Sequence, residues 1–481
     1  MPMTQQEFDA TLRTLSTNYA EALAGGETPP PLPQPGEGME YFISPDGDDG
    51  NDGTEAYPWA SPDHLVNAGD ILTALDGDYD AKVFGPNYWG PVTVPEGSDI
   101  HFALLRAKNP FKCTITSANA CMRVDASNWA ISGFVGQNTA DNDGTFVATP
   151  SGPYVLHHVL FTNCISLGGY RNGFSIYGYW GDKNFGFDYC GVVGCIAFNS
   201  AQGYALCHSG ISMYQPTLLD NAPGTHLYIA GNFVFGNVTP GSGCGNGANS
   251  DGNGIILDNF SLSQKDGEAP GYAGQTVIEY NMALGNGWAG ITVFQCNAGT
   301  ILICNNTLYG NLVSTINNEY YAGDLMSNDI ETCDLSLFNN IAQCNKATIP
   351  SNPQYKAYAS FIGQADARTI VKGNVLFGLS GQHQKASDCD GFAFGSNANV
   401  DPEFTDPAIP TSVPTTEGKK TTVEVMFNMI MDFTPNAPET NGKGYLKDDE
   451  TDASADFPTW LKGVIPAGLI PLPEGYAEGG W

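Results

Sequence analysis

One stretch of the chain gathers acids and amides at tight spacing: Ser250-Asp251-Gly252-Asn253-Gly254-Ile255-Ile256-Leu257-Asp258-Asn259. Read as a strand from Gly254 to Asp258, it puts Ile256 and Asp258 on one face and Ile255 and Leu257 on the other. Asp258 then stands at the strand's end and Asp251 at the turn before it. Two such carboxyls could exchange protons with a substrate, as a glycosidase pair does, or hold a cation. Ca2+ is the ion that oxygen ligands of this kind suit, and no cofactor is otherwise required. Local hydrogen bonding at turns would account for the same two residues without chemistry. Glu319, within Glu319-Tyr320-Tyr321 and followed by Asp324, is a further acid–base candidate on an insertion. Arg171 and Lys183 flank an aromatic run: Tyr170, Phe174, Tyr177, Tyr179, Trp180 and Phe185. Aromatic faces stack on sugar rings while cations hold carboxylates or sulfates. Arg171, Tyr177, Trp180 and Lys183 are therefore the candidate glycan contacts, with inward stacking the alternative for the aromatics. His208, beside Cys207, reads as a packed histidine.

Composition narrows the partners. The 481 residues carry 19 Lys+Arg against 51 Asp+Glu, a formal net charge of −32. Phosphate neutralisation needs cations, which argues against nucleic acid, and an anionic membrane surface would repel such a chain. No apolar run reaches the length of a membrane span. The 12 cysteines include no C-x-x-C pair. Zinc is disfavoured without paired ligand spacing, and free thiols packing as small hydrophobes are favoured over disulfides.

A short phrase recurs at irregular intervals: Cys164-Ile-Ser-Leu-Gly, Cys195-Ile-Ala-Phe-Asn, Asn232-Phe-Val-Phe-Gly, Asn281-Met-Ala-Leu-Gly, Asn305-Asn-Thr-Leu-Tyr, Asn340-Ile-Ala-Gln-Cys and Asn374-Val-Leu-Phe-Gly. Each is a small polar or thiol residue, a short β-prone segment and, in most copies, a turn residue. A fixed phrase with variable insertions is what stacked units produce, since insertions leave the stack as loops. The expected architecture is an all-β, right-handed parallel β-helix with rungs roughly 4.8 Å apart. Asn at the repeated turn, Asn281 and Asn305 included, is expected to form a ladder of amide hydrogen bonds. An all-β sandwich with Asn-rich turns is the alternative.

The body opens with Ser44-Pro45-Asp46-Gly47-Asp48-Asp49-Gly50-Asn51-Asp52-Gly53-Thr54, then Pro58-Trp59. Gly50 stands where an EF-hand series beginning at Asp46 needs a ligand. The pattern S-x-x-G-x-D-x-x-x-G-T followed by an aromatic beside Pro resembles the opening of pectate-lyase-like parallel β-helix proteins, phage tailspikes among them. The rungs at 250–259 and 279–294 resemble the same superfamily, and Asp401-Pro402-Glu403-Phe404 and Asp432-Phe433-Thr434-Pro435 resemble its closing segment. The resemblance covers roughly residues 40 to 445. It implies the fold, and a function among polysaccharide lyases, epimerases, hydrolases, adhesins and tailspikes. In relatives with a lysine base in a G-N-G-aromatic-Lys rung, the lysine position corresponds to Ile256, so the resemblance carries no lysine base to this chain.

Around the body, Thr4 and Glu7 form a capping box, and Phe8, Leu12, Leu15, Tyr19 and Ala22 follow at heptad spacing. The expected division is an attachment or capping helix over 1–24, a Pro/Gly-rich linker over 25–39, the β-helix over 40–410, and a C-terminal strand and capping segment over 411–481. The strand is expected from the alternation of Val423, Val425, Phe427, Met429 and Met431. The final segment, from Phe457 to Trp481, is expected to cap the last rung or meet another subunit. The N-terminus has no secretory signal pattern. Three readings of function follow: a virion-mounted, tailspike-like protein, trimeric or attached through its N-terminal helix, that binds a host-surface polysaccharide, with its degradation left open; a secreted polysaccharide lyase or related carbohydrate-active enzyme; and a structural or adhesive fibre without a catalytic site. The first two place the protein on a virion or outside the cell.

Overall fold

The computed structural model describes residues 38–470 apart from 96–97, 99, 141–142, 179–183, 204–207, 240–251, 264–270, 316–321, 331, 364–367, 382, 386–392, 441–442, 445–457, 462–463 and 466–468. The expected N-terminal helix lies outside the described residues, as do the linker up to residue 37 and the site candidates Asp251, Glu319, Trp180 and Lys183.

The chain winds as a three-sided coil. Val155–Thr162 runs along a first sheet, Ile165–Leu167 along a second and Phe174–Tyr177 along a third, after which Gly186–Val193 returns to the first sheet one rung further on. Repetition of this circuit builds parallel sheets of twelve, ten and nine strands among the described residues. Register is in step from rung to rung, with Val159 opposite Cys190 and Cys190 opposite Leu227. Alternate side chains point inward, so Phe161, Phe174, Phe187, Cys190, Val192 and Leu227 form part of one continuous buried core. Phe146 and Phe174, on adjacent rungs, stack at 5.0 Å between ring centroids.

The repeated phrase marks the corner between the first and second sheets. The residue before it has a left-handed backbone, with φ of 61° at Gly194, 66° at Gly231, 54° at Tyr280, 57° at Asn305 and 54° at Asn339. The next residue builds a ladder. Asn232, Asn281, Asn306, Asn340 and Asn374 each donate Nδ2–H to the Oδ1 of the Asn on the following rung, at 2.9 Å every time, ending on Asn397. The backbone N–H of Cys195 donates to Asn232 Oδ1 at 2.8 Å, so the thiol positions are the same column before the asparagines begin. Nine described cysteines are free and buried, as expected of packed thiols.

The ladder corrects the expectation at one position. Asn306, not Asn305, is the rung member. Asn305 is the left-handed corner residue, and its side-chain amide makes no hydrogen bond. Two adjacent asparagines hid the offset, because both residue roles favour Asn. A second ladder closes the other end of the short second-sheet strands: Asn237 to Asn286 to Asn311 at 2.9 Å per step, then Asn311 to Asp324 Oδ1 at 2.7 Å.

Two sheets carry apolar outer faces and are covered by the end of the chain. Over the second sheet lie helices at Thr422–Val425 and Phe427–Asp432, where a strand was expected. The buried residues there are Thr422, Val425, Met426, Met429, Ile430 and Phe433, spaced by three and four, whereas Phe427 and Met431 are exposed. Met426 and Ile430 lie off the alternating pattern and complete a helical stripe. The Thr421 hydroxyl caps this segment by accepting from Glu424 N–H at 3.2 Å. Over the first sheet lie Trp460, Leu461, Val464, Ile465, Leu469 and Ile470, packed on Leu160, Val193, Tyr228 and Ala230. These described residues cover a flank, where continuous apolar surface runs along the coil; Phe457 and residues 471–481 of the segment expected to cap the last rung or meet another subunit lie outside the described residues.

Replacing Asn306 by Ala is expected to cost about 1 to 3 kcal/mol by unpairing buried amide and backbone groups on two rungs. Asn305→Gly, which keeps the left-handed backbone and removes an unbonded amide, should be neutral or stabilising. Urea unfolding of both variants checks the assignment, and equal loss in the two would reject it.

Candidate functional site

The outer face of the third sheet is not covered by these C-terminal segments, and it holds the candidates that the structure describes. Its strands begin at a column of glycines, Gly173, Gly210, Gly254 and Gly290. A Cβ on each of the first three would stand 2.5–2.8 Å from the carbonyl oxygen of the next rung's column member, an approach only glycine allows. Asn253 pins this edge. Its Oδ1 accepts from Thr292 Oγ1 at 2.8 Å and from Ala289 N–H at 3.2 Å, and its Nδ2 donates to Ser209 Oγ at 3.3 Å. The glycines and Asn of the Gly252-Asn253-Gly254 phrase are thereby accounted for by stacking.

From that edge the strands run outward in register. Tyr177 lies opposite Tyr214, Tyr214 opposite Asp258, and Asp258 opposite Phe294. All four occupy strand ends and are half-buried. The expected pairing by face holds: Ile255 and Leu257 point inward, and Ile256 lies on the outer face with Asp258.

Asp258 has an unusual setting. Its Oδ1 is buried without a hydrogen-bond partner, and burial, partly offset by the backbone of Asn259, pushes its pKa up to about 7. Beside it, burial and the charge of Asp258 push the Tyr214 phenol up to about 12, against a hydrogen bond with Asn259. Gln215 Nε2 donates to the Tyr214 hydroxyl oxygen at 3.0 Å. At neutral pH the rung pair is therefore a carboxyl near half-protonation next to a protonated phenol.

Further back along the sheet the face turns cationic, with Arg171 ahead of the strand two rungs before Asp258 and Arg123 on the strand four rungs before it. Arg123 Nη1 donates to Asp143 Oδ2 at 3.0 Å. Burial raises the Asp143 pKa, and Arg123 and Arg171 oppose the rise. Arg171 also reaches His208, which burial and that cation hold at about 3, so His208 is neutral. Burial and Asp143 raise the Tyr177 phenol, with Arg123 and Arg171 opposing. Arg171 and Tyr177 thus come together with Arg123, Asp143 and His208, and Asp258 with Tyr214. Sequence reading missed Arg123, Asp143 and Tyr214, which lie one or more rungs away from the residues they serve. Only the rung period, unknown before the ladder was placed, could have aligned them.

Of the cation site expected at Asp251 and Asp258, Asp251 lies outside the described residues. Among the described residues no group of three or more His, Cys, Asp or Glu is placed to hold a metal. No step below uses a cation.

No family model and no curated protein matches the chain. Solved structures do align with it. The A-module of a mannuronan C-5 epimerase from Azotobacter vinelandii is 10% identical with a TM-score of 0.40, over 69% of this chain and 87% of that one. A lacto-N-biosidase from Eubacterium ramulus is 11% identical with a TM-score of 0.38, over 75% and 68%. A pectate lyase is 13% identical with a TM-score of 0.37, over 89% and 94%. The chain is a right-handed parallel β-helix. That statement rests on the coil and its registers; at these identities and scores the likenesses carry no site chemistry to this β-helix.

The two raised carboxyls of the β-helix make a prediction about pH. Burial pushes Asp258 and the ladder's terminal Asp324 both up to about 7, against the 3.8 of an ordinary aspartate. The native state therefore holds protons that the unfolded chain has released, and stability should fall as pH rises from about 4 to 7, by up to about 1.4 kcal/mol per pH unit for each group. Asp258→Asn and Asp324→Asn should each flatten that slope and melt higher than the parent above pH 7. An unchanged slope in both would show that neither carboxyl is protonated in the native state.

Proposed function

We propose that the protein binds an acidic polysaccharide across the outer face of the third sheet and cleaves it by β-elimination. The observation that carries this reading is the pairing, on adjacent rungs, of a carboxyl near half-protonation with a protonated phenol, two rungs from Arg171 in a chain of strongly negative charge. Guanidinium groups suit sugar carboxylates. Within so acidic a protein, Arg123 and Arg171 mark where a polyanion is held against the general field.

The chemistry follows from the two protonation states. With the polymer held along the sheet by Arg171, which bonds the carboxylate of a neighbouring uronate residue, ionised Asp258 removes the C5 proton, α to the carboxylate, of the residue at its own rung. The C4–O bond breaks, its electron pair leaves with oxygen, and the C5 pair forms the C4=C5 double bond. The leaving oxygen takes the proton of Tyr214, and solvent restores both groups. A two-carboxylate hydrolysis has less to draw on: Asp143, a second acid on this side of the coil, is committed to Arg123.

Incubation with a panel of polyuronates, followed by ultraviolet absorbance of the unsaturated product, tests the reading. Asp258→Asn should lower turnover on the order of 100-fold with binding retained, and Arg171→Ala should act mainly on KM. Activity should rise with pH through the region near 7, where Asp258 ionises. Reducing ends without unsaturated product would favour hydrolysis, and binding without cleavage would favour the adhesive reading.

The virion-mounted, trimeric form of this reading is part of the proposal and is supported by sequence alone, through the capped heptads and Pro-rich linker of residues 1–36. Deleting 1–36 should leave cooperative unfolding intact while lowering the particle mass measured by light scattering. A full-length chain that is already monomeric would remove the mounted arrangement and leave the enzyme.

A further inference from the structure

The turn that leaves Tyr214 crosses the corner to the first sheet and builds a small polar cavity of about 210 Å3 on its way to Thr225–Ala230. Its walls include Asp220, Asn221, His226, Ala273, Gln275 and Thr300. The volume is below the roughly 300–1,000 Å3 of pockets that enclose a drug-sized ligand, which suits one sugar ring.

The wall is held by a buried relay. Asp188 is fully buried and accepts from Tyr272 Oη at 2.6 Å, Leu219 N–H at 2.7 Å and Tyr189 N–H at 3.0 Å. His226 Nδ1 lies 3.1 Å from both Asp188 oxygens, and its Nε2 lies 2.9 Å from the carbonyl oxygen of Ala222. Both ring nitrogens face acceptors, so the doubly protonated imidazolium satisfies the geometry and makes a neutral pair with Asp188. Burial lowers the His226 pKa, but Asp188, the Ala222 carbonyl and Asp220 more than offset it. The Tyr189 ring stacks on His226 at 4.2 Å, and its hydroxyl donates to Asp220 Oδ1 at 2.6 Å. Ala222 N–H donates to the same oxygen at 2.9 Å. Among the described residues none donates to Asp220 Oδ2. With His226 and Asp188 cancelling, the cavity's charge is that of Asp220.

We propose that this cavity is a subsite for a single non-acidic sugar residue, neutral or amino-substituted, whose hydroxyl or ammonium donors meet Asp220 while a uronate carboxylate is repelled by it. Its place within a polymer rests on the function proposed above, since the same rung carries Tyr214 on one side of the corner and Asp220 and His226 on the other. The polysaccharide would then contain both acidic and non-acidic residues. The subsite itself is independent of that reading.

Saturation-transfer NMR with methyl glucoside, glucosamine and glucuronate tests it on the full chain. Ala273, an exposed lining residue, is replaced by Trp to fill the cavity, and Asp220→Asn serves as a second variant that removes charge without adding bulk. Glucosamine and methyl glucoside signals should vanish in Ala273→Trp, while any glucuronate signal, which belongs to the Arg123 and Arg171 face, should be the same in both proteins. Asp220→Asn should weaken glucosamine about fivefold relative to methyl glucoside, the worth of one exposed ion pair. The subsite is overturned if no probe is sensitive to Ala273→Trp, or if glucuronate is lost along with the others. Failure to cleave or bind any polyuronate would sink the proposed function and leave these readings untouched.

Discussion

Every rung of this molecule must find hydrogen-bond partners on the rung before and the rung after, and that stacking constraint governs what each position can hold. A residue in such a coil sits roughly 4.8 Å from its counterparts, so any side chain is repeated, complemented or excluded by its column. Asparagine satisfies the constraint by being donor and acceptor at once. The same amide that accepts from one neighbour donates to the next, and a column of them leaves no buried group unpaired. At Asp324 the second column ends on an oxygen acid, and burial pushes that carboxyl up to about 7, since a neutral carboxyl costs far less to bury than a charged one.

The functional face follows the same rule with a different outcome. Tyr177, Tyr214, Asp258 and Phe294 form an outward column with no self-complementary bonding, and Asp258 is left with an unmet acceptor. Asp258 is set apart by what accompanies the unmet acceptor: a half-buried place on an outer face, with the Tyr214 phenol in register beside it.

The fold was legible because its repeat is written in residue types that corners demand. Six of the seven copies of the phrase fall on the true column, and the error at Asn305 arose where two adjacent positions favour the same amino acid for different reasons. The facing of Asp258 was legible from strand period alone. Arg123, Asp143 and Tyr214 were not, because their proximity depends on how many residues each circuit consumes, and irregular insertions conceal that number. The alternation at 423–431 misled for a related reason. Val423, Val425, Phe427, Met429 and Met431 do alternate, but burial falls on a stripe that includes Met426 and Ile430, and only contact with the second sheet selects it.

The covers over the first and second sheets connect the last part of the chain with its earliest rungs. Lys112 pairs with Glu417, Asn163 Nδ2 donates to the backbone of Lys420 and Trp460 Nε1 to that of Thr225. A coil can wind rung by rung as it leaves the ribosome, since each circuit needs only its neighbour. Its two apolar flanks, however, stay bare until the final residues emerge. For most of its synthesis the growing protein is a soundly hydrogen-bonded rod with greasy sides, the kind of species that self-associates. Yield in a cell is therefore set by how soon the C-terminal segments arrive, and a chain truncated near residue 400 should wind correctly and still fail to stay dispersed.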